Sequence, residues 1–320
     1  MNLLVTGGAG FIGSHFVLRH KERFPDDTLV VLDSLSVGSD KTFLTPVIDR
    51  LRFIQGDVAD VTLMTEVVAR YGIEVIVNFA AETHVDRSIA NAVPFIHSNI
   101  LGVQSLIELL RKHPELRLLH VSTDEVYGDV KDDEASRVPA DPLRPSSPYS
   151  ASKAAGDLLL LSAMRTYRIP AAISRCTNNY GPHQNDEKLI PTIIRHARKN
   201  ESIPVYGTGK NKRDWLYVTD HCDALETMLT LPSLFTGDEP LDHIAHVSAD
   251  AEKENLEVVK TVLQMMGKPE SLISFVSDRP GHDWRYSLDS SGLRTHGWKP
   301  SVSFAQGIEK TVNWYLGHSR

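Results

Sequence analysis

The sequence of 320 residues predicts an α/β fold in which helices cover both faces of a parallel sheet. Short apolar, β-branched runs alternate with helical periodicity as far as about residue 176, which is the arrangement of repeated βαβ units. A glycine-rich turn joins the first of these runs to the first helix. After Cys176 the pattern changes, and loops rich in Asn, Gly, Pro and charge separate shorter helices. These three observations predict a sheet-based unit followed by a smaller one.

The predicted elements follow one another in a regular order. The predicted strands are Asn2 to Thr6, Thr28 to Leu32, Arg52 to Gln55, Val75 to Phe79, Arg117 to Ser122 and Ala171 to Arg175. The predicted helices are Phe11 to about His20, Thr62 to Tyr71, Pro94 to Lys112 and Tyr149 to Tyr167, with shorter ones near Leu189 to Arg198, His221 to Leu231 and Asn255 to Met266. We therefore expect a sheet domain at residues 1–176, to which one later segment returns, and a smaller, partly interleaved C-terminal substrate domain at residues 177–320.

The glycine-rich turn indicates what the sheet domain binds. Gly7, Gly10 and Gly13 stand at intervals of three between a strand and a helix. Without side chains there, a pyrophosphate can reach backbone N–H groups at the helix N-terminus, where the helix dipole favours an anion. Asp33 ends the second strand, 20 residues past Gly13, where a carboxylate binds a ribose 2′-OH and repels a 2′-phosphate. The pattern predicts a Rossmann-type doubly wound parallel sheet that binds NAD rather than NADP.

Composition excludes several classes of function. The chain is 41% hydrophobic and 23% charged, which suits a large core, and its formal net charge of −7 argues against a nucleic-acid partner. No apolar run in the sequence reaches the roughly 18 residues of a membrane span, and the N-terminus does not have the pattern of a signal peptide. The two cysteines, Cys176 and Cys222, fit neither a disulfide framework nor a metal site. We expect a cytoplasmic protein without a metal or a membrane partner.

Two sets of polar residues in the first half are candidates for catalysis. Tyr149 and Lys153 are four positions apart, so they share one helical face, and the ammonium together with a positive nicotinamide ring would favour a phenolate. Thr123, Asp124 and Glu125 place an acid and a base directly after a strand. Each set has a plain structural alternative, which is a surface pair for Tyr149 and Lys153 and a turn or helix cap for the carboxylates. The glycine turn upstream favours the functional interpretation, because acid, base and redox phenol together suit water removal coupled to internal hydride transfer.

Eight segments carry a resemblance to a known family. They are TGGAGFIGSH at Thr6 to His15, NFAAETHVDRSI at Asn78 to Ile89, VSTDEVYG at Val121 to Gly128, PYSASKA at Pro148 to Ala154, RCTNNYGP at Arg175 to Pro182, EKLIP at Glu187 to Pro191, RDWLYVTDH at Arg213 to His221, and DRPGHDWRY at Asp278 to Tyr286. On these segments the chain resembles the extended short-chain dehydrogenase/reductases and, within them, the dTDP-glucose 4,6-dehydratases over nearly its whole length. The glycine turn and YxxxK mark only the superfamily, whereas Thr-Asp-Glu and the last two segments are more specific.

The resemblance implies a reaction and a role for each reacting group. Tyr149 would take the C4 hydroxyl proton as the C4 hydride passes to NAD, with Thr123 hydrogen-bonded near the same oxygen. Glu125 would then take the C5 proton while protonated Asp124 donates to the departing C6 hydroxyl. The hydride returns to C6 and a proton to C5, so the enzyme is a lyase that keeps its NAD bound. Lys153 would support Tyr149 and the nicotinamide ribose.

The resemblance also implies binding residues. Those for the cofactor are Gly7, Gly10, Phe11, Ile12, Gly13, Asp33, Asp57, Val58, Ala80, Ala81, Asn99, Tyr149, Lys153 and Asn178. Those for the nucleotide sugar are His84, Arg87, Thr123, Asn179, Lys188, Leu189, Asn211, Arg213, His282, Arg285 and Tyr286. Among these, Lys188, Arg213 and Arg285 are cations suited to a diphosphate. Relatives of this kind are commonly homodimers, so we expect one here.

Departures from the family pattern leave the substrate open. His183-Gln184-Asn185-Asp186 stands where such dehydratases usually carry an aromatic residue and a proline, and Val247-Ser248-Ala249-Asp250 replaces the usual Gly-Gly. We expect dTDP-glucose, with UDP-N-acetylglucosamine or UDP-glucose as alternatives. A nucleotide-sugar C4 epimerase is a second alternative, although it has no need of the paired acid and base after Thr123. A non-catalytic dinucleotide sensor is a remote third.

Overall fold

The computed structural model describes residues 1–318 as alternating strands and helices. The strands are β1 (Asn2–Thr6), β2 (Thr28–Asp33), β3 (Arg52–Gln55), β4 (Val75–Asn78), β5 (Arg117–Thr123), β6 (Ala171–Cys176), β7 (Asn178–Tyr180), β8 (Ile203–Tyr206), β9 (Lys212–Tyr217), β10 (Ile244–Val247), β11 (Glu252–Glu254) and β12 (Ile273–Val276). The six strands predicted from the sequence correspond to β1–β6 within one residue at either end.

The helices connect and cover these strands. They are α1 (Phe11–Arg23), α2 (Val61–Tyr71), α3 (Val85–Ala90), α4 (Val93–Ile96), α5 (Gly102–Lys112), α6 (Pro148–Tyr167), α7 (Leu189–Lys199), α8 (Val218–Leu229), α9 (Ser233–Thr236), α10 (Asn255–Met265), α11 (Ser291–Thr295) and α12 (Phe304–Gly317). Short 3₁₀ segments lie at Lys41–Arg50, Asp124–Tyr127, Pro240–His243 and Glu270–Leu272. The helix predicted at Pro94 to Lys112 is α4 and α5 joined by a π-helical turn, His97–Leu101.

Seven strands form one parallel sheet in the order β3-β2-β1-β4-β5-β6-β10. The chain runs outward from β1 to β3 and then crosses back to β4 on the other side of β1. The connections after β1 and β4 therefore leave in opposite directions, which opens a crevice at the carboxyl ends of these two strands. This topology confirms the predicted Rossmann-type sheet.

The two faces of the sheet bury separate apolar layers. Along β1, Leu3 and Val5 pack into the layer that contains Phe16 of α1 and Leu225 of α8. Leu4, between them, packs into the opposite layer, which contains residues of α2, α5 and α6. Successive strand residues point to opposite faces, so a strand that is apolar at every position must be covered twice. The sheet is therefore doubly wound.

The second half of the chain contributes both to this sheet and to a separate core. Strand β10 pairs with β6 and forms the edge of the large sheet. The remaining strands form two small sheets, β11-β9-β7 and β12-β8. A third apolar cluster joins α7, α10 and α12 to these small sheets. The helices predicted in this half correspond to α7, α8 and α10. The strands of this half, which are three to six residues long, and helix α12 were not predicted from the sequence. The domain boundary at residue 176 stays a prediction.

The helical run Val93–Lys112 corrects one sequence expectation. Its 20 residues are long and apolar enough to cross a membrane by length and composition, with a mean hydropathy of 1.3. Half of its most apolar window is buried within the protein. It contacts α2 and α6 and contributes Val103, Leu106 and Leu110 to the core. Its hydrophobicity is explained in part by this packing.

A buried ion pair joins helix α6 to strand β6. Asp157 Oδ2 accepts a hydrogen bond from Arg175 Nε at 2.8 Å, and both side chains are almost fully buried. The Arg175 guanidinium also donates to the Tyr127 hydroxyl. We expect Asp157→Ala to lower the free energy of unfolding by about 3–5 kcal/mol, because it leaves a cation buried without its partner.

Urea unfolding measures this loss, and Glu108→Ala is the matched control. Glu108 pairs with Arg111 at 2.9 Å on the exposed face of α5, where such a pair contributes about 0–1 kcal/mol. Equal losses in the two variants would contradict a stabilising role for the buried pair.

Candidate active site

One large cavity, with a volume of about 640 Å³, follows the carboxyl ends of the strands in the seven-stranded sheet. It includes the crevice between β1 and β4. The sequence-predicted residues that line it are Gly7, Gly10, Phe11, Ile12, Gly13, Asp33, Asp57, Val58, Ala80, Ala81, His84, Arg87, Thr123, Asp124, Glu125, Tyr149, Lys153, Asn178, Asn179 and Lys188. The sequence-predicted residues that do not line it are Asn99, Leu189, Asn211, Arg213, His282, Arg285 and Tyr286.

The glycine turn forms a cradle that side chains would fill. Gly7 has a φ of +68°, and a Cβ there would lie 2.5 Å from the backbone nitrogen of Ala80. A Cβ on Gly13 would lie 2.3 Å from the Gly7 carbonyl oxygen. Gly10 precedes α1 without a side-chain cap for the first-turn N–H groups. Backbone donors with no side-chain cap, beside close-packed glycines, fit a dinucleotide pyrophosphate.

Two carboxylates flank the cradle. Asp33 ends β2, where its Oδ2 accepts from the Ala9 N–H at 2.9 Å and its Oδ1 from the Leu35 N–H at 2.8 Å. These bonds hold the carboxylate at the cavity wall. Asp57 follows β3, and its Oδ2 lies 2.7 Å from His97 Nε2. His97 also lines the cavity and was not among the predicted residues, since the sequence does not show which side chain of an interrupted helix faces a pocket.

The two asparagines predicted as cofactor ligands differ in their surroundings. The Asn99 side chain accepts from the Glu82 N–H at 2.9 Å and donates to the Ser152 hydroxyl at 2.8 Å. It therefore ties the loop after β4 to α6 behind the cavity wall, which corrects the expectation of direct cofactor contact. Asn178 lines the cavity, and its Oδ1 is buried without a hydrogen-bond partner among residues 1–318. That atom is an acceptor left for a ligand.

Thr123, Asp124 and Glu125 lie where β5 passes into the 3₁₀ turn Asp124–Tyr127. The Thr123 hydroxyl accepts from the Glu125 N–H at 3.3 Å and donates to Asp124 Oδ1 at 3.1 Å. Asp124 is only 3% exposed, and its Oδ2 has no hydrogen-bond partner in the part of the chain that the structure describes. The turn thus provides a partner for one carboxylate oxygen of Asp124 and none for the other.

Tyr149 and Lys153 lie on the first turns of α6, which begins at a capping box formed by Ser147 and Ser150. The Tyr149 N–H donates to the Ser88 hydroxyl at 3.1 Å, which ties the helix start to α3. Lys153 Nζ donates to the Val121 carbonyl at 2.8 Å. The lysine therefore reaches the same strand, β5, that ends in Thr123.

The electrostatic environment separates the two carboxyl groups. Burial, followed by the charge of Glu125, raises the pKa of Asp124 well above its usual range. Burial also raises the pKa of Glu125, but three nearby cations, Lys188, Arg279 and Arg213, act in the opposite direction. The environment therefore shifts Asp124 further toward its protonated form than Glu125. One group can donate a proton while its neighbour accepts one.

The phenol and the ammonium are both shifted toward their neutral forms. Burial raises the pKa of Tyr149 well above 10, and the charges of Glu125 and Asp124 add to the shift. Burial lowers the pKa of Lys153 to about 8. The expectation that the ammonium and a positive nicotinamide ring together favour a phenolate stays a prediction. The positive charge of a bound nicotinamide ring would lower the pKa of Tyr149, and ionisation of the phenol depends on that charge.

The substrate half of the cavity contains residues that already have protein partners. Arg87 makes two hydrogen bonds to the Glu187 carboxylate, at 3.0 and 2.6 Å. Lys188 Nζ donates to the Thr83 carbonyl at 3.0 Å. These contacts join α3 and the loop before it to the residues at the start of α7 across the cavity. Leu189, the first residue of α7, lies beyond the cavity lining.

Arg213, Asn211 and Tyr286 lie behind the site and hold the segment around Asp283. Arg213 donates to the carbonyls of Asp283 at 2.8 Å and Trp284 at 3.2 Å, and its guanidinium lies 4.2 Å from the centre of the Tyr286 ring. Asn211 Nδ2 donates to the same Asp283 carbonyl at 3.2 Å, and the Tyr286 hydroxyl donates to the Asp283 carboxylate at 2.7 Å. Their contacts position the loop that carries His282, whose Nδ1 lies 2.6 Å from Asp278 Oδ1.

Arg285, which the sequence predicts as a diphosphate ligand, is committed elsewhere. Its guanidinium pairs with both Glu252 oxygens at 2.8 and 2.7 Å and donates to the carbonyls of Lys131 and Glu134. Arg279, in the same DRPGHDWRY segment, has its Nε buried without a hydrogen-bond partner among residues 1–318. It lies close enough to shift the pKa values of Glu125 and Lys188. The DRPGHDWRY segment was a sufficient sequence signal for a candidate cation, but the sequence does not show which of its two arginines is left without a protein partner.

The loop that departs from the family pattern lies against the cofactor side of the cavity. His183 stacks on Phe43 with ring centres 4.1 Å apart. Asn185 Nδ2 lies 3.1 Å from the position that a Cβ on Gly38 would take, and Gln184 and Asn185 both line the cavity.

No group of three His, Cys, Asp or Glu residues within positions 1–318 is placed to hold a metal ion.

Comparison with known proteins agrees with this geometry. The model of the family described as GDP-mannose 4,6 dehydratase matches residues 4–311. Low-salt glycan biosynthesis protein Agl12 of Haloferax volcanii is 44% identical over 319 residues, with 99% of each chain covered. A dTDP-glucose 4,6-dehydratase of Streptomyces niveus is 44% identical, with coverage of 98% of this chain and 93% of the relative.

The likeness extends to solved structures. DesIV, a dTDP-glucose 4,6-dehydratase from Streptomyces venezuelae that was solved with NAD bound, is 43% identical with a TM-score of 0.92. The alignment covers 99% of this chain and 97% of that one. The matches extend from the glycine turn to α12, so they include every part of the cavity described above. The chain therefore belongs to the GDP-mannose 4,6 dehydratase family of extended short-chain dehydrogenase/reductases.

Proposed function

We propose that this protein is an NAD-dependent nucleotide-sugar 4,6-dehydratase that converts an NDP-hexose to the NDP-4-keto-6-deoxyhexose and water. The observation that carries the proposal is the pair of buried Asp124 and half-buried Glu125 in the same cavity as Tyr149, Lys153 and a dinucleotide cradle. Relatives named dTDP-glucose 4,6-dehydratase support dTDP-glucose as the substrate. UDP-N-acetylglucosamine and UDP-glucose are the alternative hexose donors.

NAD supplies a hydride acceptor at C4 and a hydride donor at C6 when it is bound. The glycine cradle at Gly7 and Gly13 would hold its pyrophosphate, Asp33 a ribose, and Asp57 with His97 the far end of the adenosine. Tyr149 and Lys153 would border the nicotinamide end. We propose that this sheet-based unit, residues 1–176, binds the cofactor, and that residues 177–320 supply most of the nucleotide-sugar contacts.

The residues of the chain carry the proton transfers. Tyr149 takes the proton of the C4 hydroxyl, and the Thr123 hydroxyl hydrogen-bonds near the same oxygen. Oxidation at C4 acidifies the C5 hydrogen, and Glu125 takes it. Asp124, kept protonated by burial and by the charge of Glu125, donates to the departing C6 hydroxyl. Glu125 then returns its proton to C5.

Three cations around Glu125 suit the diphosphate of the substrate. Lys188 lines the cavity, and Arg213 and Arg279 lie close enough to shift the pKa of Glu125. We assign Arg279 rather than Arg285 to the diphosphate, because only Arg279 has an uncommitted buried N–H. A charged donor that is partly desolvated binds phosphate oxygens strongly.

The paired carboxyl groups also weigh against the alternatives. A C4 epimerase needs Tyr149 and Lys153 but has no leaving hydroxyl to protonate, so the buried Asp124 would destabilise its site without a function. A non-catalytic sensor would have no use for a protonated acid beside an ionised base. Both alternatives remain outcomes of the experiments below.

We also propose a cytoplasmic homodimer. Val93, Ile96 and Leu101, together with Leu158 on the adjacent α6, are each at least 47% exposed. They belong to two helical segments that pack side by side, and a second copy of the chain would cover them. The molar mass in solution, measured by light scattering, distinguishes a dimer from a monomer.

Turnover of nucleotide hexoses tests the proposed function. The purified protein with bound NAD should form a 4-keto-6-deoxy product from dTDP-glucose faster than from UDP-glucose, UDP-N-acetylglucosamine, CDP-glucose or GDP-mannose. Product formation is followed by the absorbance of the keto sugar in base and by mass spectrometry, which detects the loss of water. Interconversion of C4 epimers without water loss would instead identify an epimerase, and no turnover at all would count against an enzyme of this class.

Two substitutions separate the steps. Asp124→Asn should slow water loss by about 10²–10⁴-fold while C4 oxidation survives, because only the acid for the leaving group is removed. Reduced nicotinamide should then accumulate on the enzyme, measured by its absorbance. Tyr149→Phe should slow oxidation itself by a similar factor, with no accumulation. Full-speed dehydration by Asp124→Asn would refute the role assigned to Asp124.

Arg279→Gln and Arg285→Gln form a matched pair that tests the diphosphate site. Loss of one charge-assisted hydrogen-bond donor should weaken the binding of dTDP to the NAD-loaded protein by about 10- to 100-fold in Arg279→Gln. Arg285→Gln should change the affinity little, because its guanidinium is paired with Glu252. Calorimetric titration measures both constants. A larger loss in Arg285→Gln than in Arg279→Gln would reverse the assignment.

A further inference from the structure

Residues 182–185 lie in the loop between β7 and α7, yet their contacts reach the helix that begins at the glycine cradle. The Pro182 carbonyl accepts from His15 Nε2 at 2.9 Å. Ser14 Oγ lies 3.1 Å from His183 Nδ1, and because the serine hydroxyl donates to a carbonyl of its own helix at 3.0 Å, the histidine is the donor. Two hydrogen bonds therefore tie this loop of the second half of the chain to α1 in the first half.

The ring of His183 packs against three other aromatic rings. Phe43, in the 3₁₀ segment Lys41–Arg50, stacks on it with ring centres 4.1 Å apart and planes at 6°. His15 stacks on it at 4.8 Å, and Trp314 of α12 lies at 68° to it with centres 5.2 Å apart. The backbone of His183 has a φ of +66°, which a residue with a Cβ keeps only where its surroundings hold it. These contacts fix the loop in one conformation.

Asn185 brings the same loop to the wall of the cavity. Its Oδ1 accepts from the Glu187 N–H at 2.9 Å, which orients the side-chain amide. Its Nδ2 lies 3.1 Å from the position that a Cβ on Gly38 would take, so the amide packs against the backbone there. Gly38 follows Asp33 in the turn after β2, and Asn185, Gly38 and Asp33 all line the cavity. The two halves of the chain therefore meet beside the carboxylate that we assign to a ribose of the cofactor.

We propose that residues 182–185 form a strap across the cofactor side of the cavity that slows the escape of the cofactor while it is reduced. The inference rests on the proposed function, in which one hydride leaves C4 and the same hydride returns to C6. Loss of the reduced cofactor between these steps would leave a 4-keto sugar that has lost water and has no hydride source. A strap that must detach before the cofactor can pass makes this loss slow.

The side chains that attach the strap act through its position rather than by touching the cofactor. None of His15, Phe43, His183 and Trp314 lines the cavity. Detaching the strap should therefore speed the entry of the cofactor as well as its release. Loss of a direct ligand would speed release alone. A strap thus changes both rates more than it changes the dissociation constant, and this difference distinguishes it from a binding contact.

Release of NADH from the loaded protein tests the strap. His183→Ala removes the stacked ring and its hydrogen bond and should speed release by about 10- to 100-fold, because contacts that hold the strap closed are lost. The rate of NADH binding should rise as well. Stopped-flow fluorescence measures binding on mixing with NADH and release on mixing with excess NAD. His113→Ala is the matched control and should leave both rates unchanged, since His113 precedes β5 at the opposite edge of the sheet and lies 3.5 Å from Glu115.

Asn185→Ala tests the strap from its other end. It keeps the attachments to α1 and loses the contact with Gly38, so it should also speed both rates, and it provides the test if circular dichroism shows that His183→Ala does not fold. Unchanged NADH release in a folded variant of either kind would overturn the strap. Faster release without faster binding would overturn it too, because the altered residue would then be a direct ligand.

A third readout follows the cofactor during turnover. With dTDP-glucose and no added NAD, His183→Ala should stop after fewer turnovers than the parent protein, and added NAD should restore its rate. Lactate dehydrogenase with pyruvate consumes only NADH that has left the enzyme, so it measures the escape. Failure of the parent protein to form a 4-keto-6-deoxy product would refute the proposed function, whereas the binding and release rates need no sugar substrate and would still decide whether the strap exists.

Discussion

Strand β5 lies between β4 and β6, and its register with them determines where the reacting side chains meet. Thr123 is opposite Cys176 on β6, and His120 is opposite Asn78 on β4. Lys153 is anchored to the β5 carbonyl of Val121, two residues before Thr123. A slip of one residue in β5 would turn each of its side chains to the other face of the sheet. The buried layers on both faces exclude such a slip, so core packing and catalytic geometry depend on the same pairing.

The carboxyl-terminal edge of this sheet brings together charges that would repel or neutralise one another in water. Asp124 and Glu125 are adjacent in sequence, and burial together with the charge of Glu125 raises the pKa of Asp124 further than burial raises the pKa of Glu125. Lys188, Arg213 and Arg279 come from parts of the chain that follow β6, and they favour ionisation of Glu125. If these cations bind the substrate diphosphate as proposed, substrate binding and the electrostatics of the acid–base pair are coupled through the same side chains.

Much of the site could be predicted from the sequence because its motifs are local. The glycine turn, the Thr123–Glu125 tripeptide and the Tyr149 to Lys153 spacing each lie within one strand–turn–helix connection. The predictions failed where a side chain could turn either way. Arg279 and Arg285 stand six positions apart in one segment, and only the fold shows that Glu252 takes Arg285. Asn99 was placed at the cofactor, but the π-helical turn at His97–Leu101 directs His97 to the cavity and Asn99 to Ser152.

The sequence by itself determined the alternation of strands and helices, the bounds of the first six strands within one residue and the dinucleotide turn, and it supplied the candidates for the acid, base and phenol. These follow from local periodicity and from the steric demands of glycine, which act within a few residues. Only the tertiary structure decided that β10 is the later segment that returns to the sheet, which of Arg279 and Arg285 has an uncommitted N–H, and that burial moves Tyr149 and Asp124 both toward their protonated forms. Those properties depend on desolvation and on charges from distant segments. Neither exists until the chain has packed.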